Sequence, residues 1–186
     1  MRRRALLVLA IGIVSVGMYS SCLSYSLYPW FGKEVQTFDE RLLGKWGDEG
    51  ESYAVKQGPE HTYLITVQDA RNKTDYRAVL AKIGDGYYLD LKTEQSTDTL
   101  DAWELETHLL CKLTIEPDRL RVVCLDDKKV EQMVDSGELR GARVQQDRFL
   151  IVSATEELQE FVTKHGPVAS TWLEEEEEEE NWLSRI

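Results

Sequence analysis

The sequence predicts a mainly β domain of about eight antiparallel strands, with one inserted helix and one C-terminal helix. Three observations carry this prediction. Apolar residues alternate with polar ones at a period of two, turn residues separate these runs, and two neighbouring runs agree on one strand register. Eight antiparallel strands can close into a barrel, which removes exposed sheet edges. An open sheet or a sandwich is the alternative.

The predicted strands follow one another from residue 42 onward, with Gly, Pro, Asn and Asp between them. Alternation is clearest where Tyr63, Ile65 and Val67 share one face. The predicted strands cover residues 42–46, 51–57, 61–68, 76–83, 87–92, 103–116, 119–126, 139–145 and 148–153.

The two strands around Pro117 form the clearest predicted hairpin. Residues 116–119 (Glu-Pro-Asp-Arg) suit a type I turn, which favours Pro at its second position. A symmetric turn there places six apolar side chains on one face. The predicted pairs are Ile115 with Leu120, Leu113 with Val122, and Cys111 with Cys124.

The predicted register places Cys111 opposite Cys124. Paired residues have Cβ atoms about 4.5–5.5 Å apart, whereas a disulfide needs about 3.5–4.5 Å. Two alternatives stay open. The pair forms a disulfide, as the two cysteines that remain in an exported protein once Cys22 carries a lipid suggest, or it remains two buried thiols that act as small apolar side chains.

Two helices follow the hairpin. The first covers residues 126–136, with Val130 and Met133 on its apolar stripe, and the second begins with a capping box from Ser153 to Glu156. Residues 174–180 are seven consecutive glutamates, a pattern typical of a solvated or disordered segment. We therefore predict a β-barrel domain at residues 37–166 and an acidic tail at 167–186.

The first 22 residues have the order of an export signal. Three arginines precede an apolar run at residues 5–16, which is shorter than the roughly 20 residues of a membrane span. Ser20-Ser21 directly before Cys22 resembles the lipobox of bacterial lipoproteins, although Tyr19 stands where that motif usually has an aliphatic residue. Ordinary cleavage nearby and an uncleaved short anchor are the alternatives.

The lipobox resemblance implies a signal peptide at residues 1–21 and a lipidated Cys22 at the start of a tether, residues 22–36. The expected location is the cell envelope, on the periplasmic face of the outer membrane rather than on the inner membrane. The aromatic residues of the tether lie either at the membrane interface or against the domain. The first partner that the sequence predicts is thus a membrane, contacted through the lipid.

Gly44-Lys45-Trp46 resembles the Gly-x-Trp motif of lipocalins, whose Trp closes the floor of the barrel. The resemblance implies a lipocalin-like (calycin) fold and an Arg near the end of the barrel that packs on the Trp, for which Arg143 and Arg148 are the candidates. Residues 42–46, 87–91 and 153–159 also resemble a group of uncharacterised small bacterial lipoproteins, which brings no assigned activity.

Charge and motif content narrow the function classes. The net charge of −12 argues against nucleic-acid binding, because a phosphate backbone would be repelled. His61, His108 and His165 have no metal-ligand spacing, and no catalytic motif is present. The acidic residues Asp98, Asp101, Glu104 and Glu106 lack the ordered spacing of a calcium loop. We expect no enzyme activity, no metal and no cofactor.

Two functions remain. The first is a tethered barrel that binds a small apolar ligand or lipid, which requires a cavity of about 300 Å³ or more. The second is a structural or interaction lipoprotein with a barrel filled by its own side chains and no ligand. The sequence identifies no protein partner for either.

The lipobox interpretation predicts that Cys22→Ser removes the protein from the membrane fraction, because the thiol is the only acylation point in the motif. The measurement is fractionation of expressing cells together with incorporation of labelled palmitate. Cys111→Ser is the matched control and should stay in the membrane fraction. Membrane retention and labelling of Cys22→Ser would contradict the interpretation.

Overall fold

The computed structural model describes residues 24–47, 50–93, 105–145, 148–172 and 182–186. Several sequence predictions lie outside these residues. They concern the leader and Cys22, the acidic residues Asp98, Asp101 and Glu104, the turn at residues 146–147, and the glutamate run at 174–180.

Within the described residues the chain forms twelve strands and two α-helices. The strands are β1 (Tyr25–Ser26), β2 (Gln36–Thr37), β3 (Gly44–Gly47), β4 (Ser52–Gln57), β5 (Tyr63–Gln68), β6 (Lys73–Ile83), β7 (Gly86–Thr93), β8 (His108–Ile115), β9 (Arg119–Cys124), β10 (Gly141–Gln145), β11 (Arg148–Ile151) and β12 (Trp182–Arg185). The helices are α1 (Asp127–Asp135), before β10, and α2 (Thr155–His165), after β11.

Eight antiparallel strands form a closed barrel, which confirms the predicted fold class and is consistent with a lipocalin-like fold. Strands β3 to β9 pair in chain order, and β12 lies between β9 and β3. The predicted hairpin register is also confirmed, with Cys111 opposite Cys124, Leu113 opposite Val122 and Ile115 opposite Leu120. The alternatives of an open sheet and a sandwich are thereby set aside.

The strand that closes the barrel comes from the segment predicted as an acidic tail. In β12, Leu183 faces the barrel interior opposite Leu120, and Trp182 lies outside beneath the Arg119 guanidinium. The glutamate run dominated the composition of this segment and masked the short apolar pattern after it. Pairing with two neighbouring strands stabilises these four residues in spite of the charge that precedes them.

The last predicted hairpin, β10 and β11, is folded but lies outside the barrel. Strand β11 pairs in parallel with β1, which in turn pairs with the first residue of β8. Phe149 and Ile151 of β11 are buried in an apolar cluster with both α-helices, on the outer surface of the barrel. The hairpin therefore lies outside the closed ring and is joined to its sheet through β1.

The segment predicted as a tether is packed on the domain from its first described residues. Trp30 and Phe31 are fully buried against the outside of the barrel. The Asp90 carboxylate accepts a hydrogen bond from the Trp30 backbone N–H at 3.0 Å and lies 2.8 Å from His108 Nδ1. Of the two alternatives for these aromatic residues, the structure shows packing on the domain.

Both predicted helices are present, and the cap of the second differs from expectation. Asp126 caps α1 through a hydrogen bond from the Lys129 N–H at 2.8 Å. At α2 the predicted Ser153–Glu156 box is wrong by one residue, because Glu157 accepts from the Ala154 N–H while the Ser153 hydroxyl accepts from the Arg140 N–H. Among the described helices none has the length and apolar character that a membrane crossing requires.

Arg185 secures the closing strand to the start of the barrel. Its guanidinium lies over the Trp46 ring, 4.4 Å from the centroid, and donates hydrogen bonds to the carbonyls of Arg41 at 2.8 Å and Leu43 at 3.2 Å. The sequence candidate Arg143 does not occupy this position. Arg143 lies outside, over Phe149 and paired with Glu131, and the side chain of Arg148 is outside the described part.

We predict that Arg185→Ala lowers the free energy of unfolding by about 2 kcal/mol, because it removes a cation–π contact and two charge-assisted hydrogen bonds. Denaturant unfolding measures the change. Arg143→Ala is a matched control, since it removes an arginine stacked on an aromatic ring outside the barrel, and its exposed ion pair should contribute less than about 1 kcal/mol. A larger loss of unfolding free energy in the control would contradict the role that we give Arg185 in joining β12 to the start of the barrel.

Candidate functional site

The barrel encloses a cavity of about 460 Å³. Its wall is formed by every second residue of the barrel strands, the residues that point inward because side chains alternate along a strand. In β9, for example, Leu120, Val122 and Cys124 face the cavity, and in β7 Leu89 and Leu91 do. The lining is therefore the interior face of the predicted alternating pattern.

One end of the barrel is closed. The 3-10 helix Glu40–Leu42 leads into β3 there and places Leu42 against Trp46, whose indole N–H donates to the Leu42 carbonyl at 2.9 Å. Tyr63 completes this floor, with its hydroxyl accepting from the Asp39 N–H at 2.7 Å. Burial raises the pKa of Tyr63 to about 12, so its phenol stays neutral.

Gly44 is the other residue of the Gly-x-Trp motif, and its conformation explains why glycine stands there. Its φ is +132°, which side chains rarely adopt, and a Cβ atom would lie 3.0 Å from Arg185 Nη1. The glycine thus leaves room for the arginine that covers Trp46. Sequence reasoning identified Gly44 and Trp46 but missed their partner, because Arg185 follows the glutamate run.

The opposite end of the barrel is open. Connections 48–51, 69–72 and 94–107 join strands at this end, and the cavity residues near it are half-buried or exposed, whereas Trp46 and Tyr63 at the floor are fully buried. Glu51 and Tyr53 lie at the rim, and the Tyr53 hydroxyl donates to a Glu51 carboxylate oxygen. Burial, with the nearby Glu51 charge, raises the pKa of Tyr76, which also lines the cavity.

The two cysteines face the cavity as a cross-strand pair. The Leu125 N–H donates to the Leu110 carbonyl at 3.3 Å, which makes Cys111 and Cys124 the adjacent non-hydrogen-bonded pair, where Cα atoms approach to about 4.5 Å. Both are free thiols in the structure. A hydrogen bond with Cys124, together with complete burial, raises the pKa of the Cys111 thiol. The disulfide stays a prediction.

The three histidines lie apart from the cavity and from one another. His108 contacts Asp90 on the outside of the barrel, His165 lies 2.6 Å from Glu138 at the end of α2, and the His61 ring contacts Phe38. Glu106, the one described member of the acidic cluster, lies 3.3 Å from Lys92. No group of metal-ligating side chains occurs among the described residues.

Comparisons of the chain with protein-family models, with curated proteins and with solved structures found no match. The cavity and the sequence are therefore the features that point to a function.

The geometry of the cysteine pair predicts that oxidised glutathione converts it to a disulfide. The two thiols lose two protons and pass two electrons to the glutathione disulfide, which leaves as two glutathione thiols. In protein carrying Cys22→Ser, the mass should fall by two hydrogen atoms. The reaction should accelerate above neutral pH, since the raised pKa of Cys111 keeps thiolate scarce.

The control is the same protein with Cys124→Ser added, which should form no internal bridge. An unchanged mass of the parent after oxidation at alkaline pH would show that the pair is two inert buried thiols.

Proposed function

We propose that the chain is a membrane-anchored bacterial envelope lipoprotein whose barrel binds a small apolar ligand or lipid. The observation that carries the binding proposal is the cavity of about 460 Å³. Small-molecule sites occupy about 300–1,000 Å³, are mostly apolar and carry a few placed polar groups. The barrel interior has each of these properties, with Glu51 and the tyrosines as its polar groups.

The wall of the cavity supports an apolar ligand in particular. Leucine, isoleucine and valine make up most of the residues that line it. The Tyr63 hydroxyl at the floor already accepts a hydrogen bond from the Asp39 N–H. A ligand that removes this surface from water gains about 25 cal/mol per Å² of apolar area. A polar ligand would gain little from the same wall and would leave its own hydrogen bonds unmet.

The place of Cys22 in the sequence, four residues before Ser26, fits the proposed anchor. Ser26 pairs with His108, the first residue of β8, at the open end of the barrel. Four residues span at most about 14 Å, so a lipid on Cys22 would hold that end close to the membrane surface. We propose the periplasmic face of the outer membrane as the location.

The second candidate, a structural lipoprotein without a ligand, was expected to have a barrel filled by side chains. The cavity favours the binding function over this alternative, because the inward-facing side chains do not fill the barrel interior.

The test is a fluorescence titration with N-phenylnaphthylamine, a neutral apolar probe. We expect the protein to bind one probe per barrel, and Val122→Phe to weaken binding at least about tenfold, or about 1.4 kcal/mol, because Val122 lines the cavity and a larger side chain there would fill part of it. Val144→Phe is the matched control, since Val144 is exposed on β10 outside the barrel. Absence of binding, or equal losses in both variants, would contradict the proposal.

A further inference from the structure

We propose that Cys124 is a covalent modification site inside the barrel, where its thiol adds to α,β-unsaturated aldehydes that carry an alkyl chain. This inference rests on the proposed function and names a reactive class of apolar ligand for the same cavity. Three features carry it: the place of Cys124 in the cavity wall, its contact with Cys111, and the apolar wall between these thiols and the floor.

The two thiols lie in the cavity wall and differ in their exposure. Strand β9 runs toward the open end of the barrel and finishes at Cys124, which is half-buried, whereas Cys111 is only 1% exposed. A molecule in the cavity therefore has better access to Cys124 than to Cys111. Among the described residues that line the cavity none is Lys or His, so the thiols are the strongest nucleophiles in this part of the wall.

The contact between the two cysteines determines which sulfur reacts. A hydrogen bond with Cys124, together with complete burial, raises the pKa of the Cys111 thiol, so Cys111 keeps its proton. Its S–H is then the donor that stabilises a thiolate on Cys124, and the thiolate is the form that attacks an electrophile. Cys124 is thus the nucleophile of the pair, and Cys111 is its hydrogen-bond donor.

The addition is balanced without an oxidant or a reductant. The Cys124 sulfur forms a bond to the β-carbon of the aldehyde, and the electron pair of the carbon–carbon double bond moves to the α-carbon. The α-carbon then takes a proton from water, which replaces the proton that the thiol gave to water. The product is a saturated aldehyde joined to the protein through a thioether, and the protein gains the whole mass of the ligand.

The wall below the thiols suits an alkyl chain. On β9, Val122 and Leu120 follow Cys124 toward the floor and extend the wall by about 13 Å, since a strand rises about 3.3 Å per residue. On β8, Leu113 lies opposite Val122. An alkyl chain against these residues holds the reactive double bond near Cys124, and each buried methylene group strengthens binding. The cavity should therefore favour long-chain aldehydes over short ones.

The experiment compares nonenal with crotonaldehyde, two unsaturated aldehydes that differ in the length of the alkyl group on the β-carbon. The protein carries Cys22→Ser and is fully reduced, and glutathione is the free thiol used for reference. We expect the ratio of the nonenal rate to the crotonaldehyde rate to be at least about tenfold higher for the protein than for glutathione, because the longer chain is buried in the cavity.

Intact mass measures the addition, and peptide mapping after borohydride reduction locates it, since reduction of the aldehyde prevents the reverse reaction. Bound N-phenylnaphthylamine should slow the nonenal reaction, which tests the role of the cavity without any further substitution.

Matched variants identify the reacting sulfur and the contribution of the wall. Cys111→Ser retains a hydrogen-bond donor beside Cys124 and should retain the adduct, whereas Cys124→Ser should lose it. Val122→Phe should lower the chain-length ratio several-fold, because Val122 lines the cavity. Val144→Phe should leave the ratio unchanged, because Val144 is exposed on β10 outside the barrel.

The outcomes distinguish this modification site from the proposed function. If N-phenylnaphthylamine binds but nonenal does not react at Cys124, or reacts there with the chain-length ratio of glutathione, the modification site is overturned while the binding function stands. Adducts that map to lysine or to Cys111 would overturn it equally. If the probe does not bind and the ratio is that of glutathione, the proposed function fails as well.

Discussion

The contact between Arg185 and Trp46 is the constraint on which the barrel depends. Arginine covers the indole face and donates hydrogen bonds to two carbonyls of the segment that enters β3. These contacts tie the end of β12 to the floor, and β12 in turn joins β9 to β3. A barrel with a gap between β9 and β3 would expose its inward-facing leucines to water. The cavity is therefore enclosed because β12 fills this gap.

The barrel wall formed by β6, β7 and β8 is buried on both of its faces. Leu80 of β6 and Leu89 of β7 point into the barrel, while Ala81, Tyr88 and Leu110, on β6, β7 and β8, point outward and are equally buried. The N-terminal segment, the outer hairpin and both helices cover this outward face. Trp30 lies at its centre, held by Asp90 and packed on Phe161 of α2 at 6.2 Å between ring centroids. The wall opposite β12 is thus buried on both faces.

Local sequence patterns predicted the elements well, and long-range pairing explains what they missed. The hairpin around Pro117 was predicted to the residue because turn chemistry and alternation agree over a few positions. The position of β12 in the barrel is not predictable in the same way. Its four residues follow a run of seven glutamates, and its partner strands, β3 and β9, lie far away in sequence. The same distance hid Arg185 as the partner of Trp46. The sequence alone does not predict the burial of Trp30 and Phe31, since aromatic residues near a proposed anchor suit either a membrane or a protein surface.

The closing of the barrel also sets the order in which the chain folds. Hairpins such as β8–β9 join residues close in sequence, whereas Arg185 reaches carbonyls 142 and 144 residues away. Pairings over such distances carry a large loop-closure entropy and form late. Until β12 has paired, β3 and β9 each present an unpaired edge, and the apolar residues that face inward stay open to water. Unpaired strand edges favour self-association, so a faster closure shortens the time for which these edges are exposed.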